Sequence, residues 1–229
     1  MLFDEDGNKA FDKVKTQTKD NDENFETFGL NIPEGTYIVV AVAHSSIKSA
    51  TIKSPSMVQF TASNGEKLTD TFYYYGEIEV TSEPKVFDLD MDRIASMVRF
   101  YFTDETMPED VVKFKFEYTG GSANFNPSTG QGCTKSSQSE IRLVNQNNIY
   151  EVYSFPYMSD TGKLKMNISA LDADENILLK RTIEDIYIHI NEVTEYSGIF
   201  FTEDPNSIQP LTMGFSIDGD WDNIHHFEF

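Results

Sequence analysis

The chain has 229 residues, enough for one large β domain or two small ones around a real apolar core. Acidic residues number 38 against 18 basic ones, a formal net charge of −20 that repels nucleic acid and anionic lipid headgroups at long range. A single cysteine, Cys133, leaves no internal disulfide framework, and no apolar run reaches the ~18 residues of a membrane-spanning helix.

The opening "MLFDEDGNKAF" is acidic and lacks both the basic start and the apolar stretch of a signal peptide. Residues 9–27 are charged and predict a loop. "GTYIVVAVAH" (35–44) is β-branched and apolar on both parities, which predicts a central strand buried on both faces. "GEIEV" (76–80) alternates Ile78 and Val80 with Glu77 and Glu79, just after the aromatic cluster "FYYYG" (72–76).

Further on, "DETMPEDVV" has room for one helical turn and no more. "VKFKFEY" sets Phe114, Phe116 and Tyr118 on one face and Lys113, Lys115 and Glu117 on the other. Residues 119–149 are small, polar and turn-rich, and predict a long excursion between strands or a surface flap. "KLKMNISA" opposes Leu164, Met166, Ile168 and Ala170 to polar partners, and "DIYIHIN" aligns Ile186, Ile188 and Ile190. Repeated period two means half-buried strands with one wet face. "DEDGN", "NIPEG", "SNGE", "TGGS", "STGQG", "SDTG", "DADEN" and "DGDWD" supply the turns. The chain therefore predicts an all-β fold, two antiparallel β-sandwiches divided near residue 90: 1–89 and 90–229.

Chemistry is sparse. A calcium loop needs Gly at its sixth place and Glu at its twelfth. Counted from Asp4 these are Lys9 and Lys15, and from Asp172 they are Ile177 and Ile183, so hairpin turns are the better reading. The acidic "DGDWDN" carries Asn223 at that sixth place. His225 and His226 are adjacent and point to opposite faces of a strand, while His44 and His189 stand alone in sequence. "GGSAN" is not a nucleophile elbow, Cys133 has no evident histidine partner, and no carboxylate pair or phosphate loop stands out. The expectation is a non-enzyme with no catalytic residue, cofactor or metal.

Four stretches resemble the Bacteroidales fimbrillins, the subunits of type V pili, in the family's order. They are "GLNIPEGTYIVVAVAHSS", "VFDLDMDRIASMVRFYF" with Arg93 and Ala95, "IYIHINEVTEYSGIFF" and "LTMGFSIDGDWDN". The length resembles an accessory, anchor-type subunit or a fimbrillin-like surface lipoprotein. The resemblance implies tandem transthyretin-like sandwiches, export to the outer membrane as a lipoprotein, partnership with other fimbrial subunits by β-strand addition, and no active site. The lipobox cysteine, signal and cleaved leader of that family are not visible here, so a membrane is reached only through a lipid anchor outside this sequence.

"MLFDEDGN" reads as the end of a strand entering a turn, short of the usual five or six residues or so. The natural protein is therefore expected to extend upstream. The first sandwich would then keep an open groove beside Tyr37, Val39, Ala41 and Ala43, where another chain's strand adds. The competing reading is a monomeric surface module that binds carbohydrate or another host or bacterial surface ligand on Tyr73, Tyr74, Tyr75 and Trp221. A hydrolase is the weakest reading, and no nucleic-acid partner is expected.

Overall fold

The computed structural model describes residues 1–10, 14–46, 50–60, 68–201 and 221–228, and among these there is no helix. In chain order the strands are β1 (Leu2–Phe3), β2 (Gly35–His44), β3 (Thr51–Ser54), β4 (Met57–Gln59), β5 (Thr71–Val80), β6 (Asp92–Arg93), β7 (Ser96–Phe102) and β8 (Lys113–Thr119). They continue with β9 (Asn124–Asn126), β10 (Gln131–Gly132), β11 (Gln138–Leu143), β12 (Ile149–Ser154), β13 (Thr161–Leu171), β14 (Ile177–His189), β15 (Glu192–Gly198) and β16 (Asn223–Glu228). They build four four-stranded sheets, ordered β1-β2-β5-β6, β10-β9-β4-β3, β11-β8-β13-β14 and β12-β7-β15-β16. Pairing is antiparallel except around β15, which runs parallel to both β7 and β16.

Alternation decides which side chains are buried. Phe114, Phe116 and Tyr118 of β8, with Leu164, Met166, Ile168 and Ala170 of β13, point into a core shared with Val98, Phe100 and Phe102 of β7. That core fills the space between the last two sheets. A second core gathers Phe3, Val40, Ile52, Val58 and Phe125 between the first two sheets. Each core side chain removed from water contributes roughly 1.5–3 kcal/mol before entropy is charged against it.

The tight turns form by the local chemistry expected of them. Asp4 Oδ1 accepts from the Asn8 N–H at 2.7 Å, and Gly7 takes φ +79°. In "DADEN", Asp172 Oδ1 accepts from the N–H groups of Asp174 and Asn176 while Glu175 takes φ +68°. Hydrogen bonds from Asn176 and Asp174 then hold the Asp172 carboxyl below its ordinary range, against a smaller effect of burial. The "SNGE" turn and most of "LTMGFSIDGDWDN" lie outside the described residues.

Three expectations are corrected. Residues 119–149 are not a flap. Phe125 of β9 is fully buried in the first core, β9 pairs with β4, and β11 pairs with β8 along its whole length. With Ala123 and Phe125 as its only buried hydrophobic residues before β11, the segment carries too little apolar periodicity to announce a strand. Its backbone is held partly by Ser122 Oγ, which accepts from the N–H groups of Asn124 (3.1 Å) and Thr134 (3.2 Å) and has its single proton for either of their carbonyls. Second, β2 is core-facing on one side only. On the other side Val39 is buried, Tyr37 and Ala41 are half-buried and Ala43 is exposed. Third, Ile190 leaves the core of Ile186 and Ile188 and packs against the first core instead.

Phe125 meets Phe155 at 5.3 Å and Tyr73 at 5.5 Å between ring centroids. Phe125→Ala is expected to destabilise the chain by about 3–5 kcal/mol, the range for a buried aromatic truncated to alanine. Urea denaturation would measure it. A loss typical of surface sites, within about 0.5 kcal/mol, would mean that β9 does not close the first core.

Candidate functional site

The β2 strand is fully paired with β5 on one edge, from Gly35↔Val80 to His44↔Thr71. On its other edge β1 covers only the middle: Leu2↔Val39 and Phe3↔Ile38, extended by a bond from Val40 N–H to the Met1 carbonyl (3.0 Å) and from the Met1 ammonium to the Val40 carbonyl (2.9 Å). Antiparallel bonding alternates sides, so the N–H and C=O of Val42 and His44 point to the same edge as those of Val40. Among the described residues no strand pairs with that stretch of edge. Burial pushes the Met1 amino group below its ordinary pKa.

Ile38, Val40 and Val42 face the first core. The groove residues Tyr37, Val39, Ala41 and Ala43 share the opposite face, where the register sets them beside Ile78, Gly76, Tyr74 and Phe72. That outer face is continuously apolar. Tyr74 lies so close over Gly76 that a Cβ there would meet its hydroxyl at 2.3 Å. The Tyr37 hydroxyl donates to the Pro33 carbonyl at 3.1 Å.

The four aromatic residues named from sequence do not share one surface. Tyr73 turns inward against Phe125, and a Cβ on Gly130, which has φ +66°, would meet its hydroxyl at 2.3 Å. Burial, then the charges of Asp92 and Asp160, push the Tyr73 phenol up. Tyr74 lies on the outer face, and Tyr75 is partly open at the rim. Trp221 covers Arg93, with the guanidinium carbon 4.0 Å from the ring centroid.

Arg93 joins segments that are distant in sequence. Its fork donates from Nε to Asp70 Oδ1 at 2.8 Å and from Nη2 to Asp70 Oδ2 at 3.1 Å, while Nη1 donates to Asn191 Oδ1 at 2.7 Å. Phe72 lies beneath it at 4.6 Å. Asp70 immediately precedes β5 and Phe72 lies within it, whereas Asn191 and Trp221 precede β15 and β16. Backbone bonds run alongside, from Ile94 N–H to the Thr71 carbonyl and from Asn191 N–H to the Ala95 carbonyl, both 3.0 Å.

Cys133 sits against Met57, sulfur to sulfur at 3.5 Å, and burial raises its thiol pKa, which opposes thiolate reactivity. Sequence gave no sign that His189 and His225 would meet. Their rings stack at 5.5 Å, and Glu192 Oε2 lies 2.6 Å from His225 Nε2 and 3.8 Å from His189 Nδ1.

The model of the family described as fimbrillin-A associated anchor proteins Mfa1 and Mfa2 matches residues 1–227, so the chain belongs to this family. No curated protein matches it. Among solved structures it is similar to a candidate adhesin of Bacteroides ovatus, at 16% identity and a TM-score of 0.45, over 67% of this chain and 66% of that one. A second is a candidate adhesin of Bacteroides thetaiotaomicron, at 15% identity and a TM-score of 0.44, over 78% of this chain and 69% of that one. The chain thus spans about two thirds of the length of the solved proteins it matches.

Arg93→Ala strands the Asp70 carboxylate and uncovers Trp221. The expected cost is about 1–3 kcal/mol, because Asp70 keeps 32% of its side chain in water and is not a fully buried partner. Arg93→Lys keeps the charge but loses the fork and the stacking, and recovers only part of it. Trp221 is the chain's single tryptophan, so its emission reports the junction directly. A red shift is expected in the native state of Arg93→Ala, and an unshifted spectrum with wild-type stability would refute the clamp.

Proposed function

We propose that this member of the fimbrillin-associated anchor family is a non-enzymatic, structural and adhesive subunit of a bacterial cell-surface fimbria, joined to other fimbrial subunits by β-strand addition. The observation that supports this mode of assembly is the edge of β2 beyond Val40, with which no strand among the described residues pairs. Val42 and His44 present backbone donors and acceptors that a partner's strand would satisfy, in register with β1. Alternate side chains of such a strand would fall beside Val42 over the first core and beside Ala41 and Ala43 on the outer face. Of the four residues expected to line the receiving groove, Ala41 and Ala43 flank this stretch in the present reading, whereas β1 already pairs beside Val39.

The same reading takes the two cores as tandem transthyretin-like domains divided near residue 90, with β9 and β10 of the second reaching back to complete the first. It places the protein at the outer membrane or in the fimbrium, as a surface lipoprotein. The charge of −20 suits a partner surface other than nucleic acid or a bare anionic membrane. No helix among the described residues is long and apolar enough to cross a membrane.

Val42→Pro tests the edge selectively. Proline removes the N–H that faces the free edge and removes no donor bound to β5. Capture of fimbrial subunits from the same organism, measured by affinity pull-down and size-exclusion chromatography, should weaken by at least about tenfold, which corresponds to ~1.4 kcal/mol. Circular dichroism should keep its β signature. Equal capture by wild type and a folded Val42→Pro variant would sink the assignment of this edge.

A further inference from the structure

At the rim of the second sandwich the chain crosses from β14 to β15 through a short turn. His189 ends β14 and Glu192 begins β15. Parallel pairing sets Asn223 beside Glu192 and His225 beside Thr194, so Glu192 and His225 project on one face. His225 Nε2 lies 2.6 Å from Glu192 Oε2, and His189 Nδ1 lies 3.8 Å from the same oxygen. One ligand atom from each of the three residues lies within 4.8 Å of the others.

We propose that His189, Glu192 and His225 form a binding site for a divalent transition-metal ion of the zinc class, which fastens β16 to the β14–β15 turn. Two imidazoles and a carboxylate are a donor set suited to such an ion and leave a fourth position for water. Metal–ligand bonds of about 2.0–2.1 Å in a tetrahedron put donor atoms ~3.3 Å apart. The observed contacts bracket that spacing, so loading requires the His225–Glu192 hydrogen bond to open and His189 to close in, both within side-chain rotation. Asn223 Nδ2 donates to Glu192 Oε1 at 2.8 Å, which orients the carboxylate and leaves Oε2 to face the imidazoles.

The site is reachable. The His189 and His225 side chains are 34% and 39% exposed, while Glu192 is only 16% exposed and therefore held in place. Burial pushes the Glu192 carboxyl up, but the hydrogen bonds from Asn223 and His225 and the nearby histidines outweigh it and hold it below its ordinary range. The overall charge of −20 concentrates cations around the molecule. His226 is excluded, since it projects from the other face of β16 onto Glu195.

The test uses the full, untagged chain, stripped of metal by a chelator. Zn²⁺ titration by calorimetry should reveal a saturable site, and Co²⁺ should give the visible absorption of a four- or five-coordinate ion. His189→Gln, Glu192→Gln and His225→Gln should each weaken binding by at least about tenfold, and Asn223→Ala by roughly ten- to a hundredfold. His226→Gln should leave the affinity unchanged. Zn²⁺ should raise the melting temperature of wild type and not of His225→Gln. Should a variant fail to fold, the wild-type imidazole NMR signals decide alone: of the four histidines, only His189 and His225 should shift on Zn²⁺ addition. Non-saturating binding, binding unaffected by the three glutamine variants, or signals that do not move would overturn the site.

Discussion

The architecture depends on one guanidinium. Arg93 is only 9% exposed and sits at the step where the chain leaves the sheet of β5 and β6 and enters β7. A buried charge is costly unless it is paired and hydrogen-bonded, and here the fork geometry meets that demand with Asp70 on one side and Asn191 on another. The flat faces of the cation lie between Phe72 and Trp221, which adds attraction that a lysine would not supply in that form. Because its partners come from segments far apart in sequence, the interaction ties the approach to β5 to the turn before β15 and to Trp221.

The second bond between the halves is topological. Strand β9 lies between β10 and β4, so a segment that follows β8 in sequence completes the sheet of β3 and β4. Phe155, at the end of β12, and Ile94 and Ala95, between β6 and β7, also fill the first core. The first sandwich is therefore not built from the first ninety or so residues alone, and its stability is coupled to the rest of the chain.

These features divide what sequence could and could not reveal. Phe114, Phe116 and Tyr118, or Leu164, Met166 and Ile168, announce their face because period two is complete over the whole strand. The bounds of β2 were equally legible, since Gly35 opens it and the β-branched run continues to His44. The burial of its second face was not, because that depends on what lies above the sheet. For β9, a three-residue strand with one apolar side chain offers no period at all. Arg93 and its partners lie 23 and 98 residues apart, and Glu192 and His225 lie 33 apart; no local pattern encodes such meetings.

The edges of the sheets are treated unequally, and that difference bears on assembly. At β14, an outer strand of its sheet, Asp185 takes φ +56° beside a register shift opposite Leu164 and Met166. Charged pairs, Lys163 with Asp185 and Lys165 with Glu184, cross the same stretch. Bulges and charges of this kind twist an edge and discourage further pairing. At β11 the edge carries Arg142, tied to the buried Glu140 and to the carbonyl of Glu151. The exposed stretch of β2 has no such protection. Its side chains are Ala41, Val42, Ala43 and His44, its register with β5 is unbroken, and no charged side chain stands on it. A regular edge without such devices costs a protein resistance to aggregation. Among the described residues β14 and β11 carry such devices and the stretch of β2 beyond Val40 does not, a difference that agrees with the strand addition proposed above.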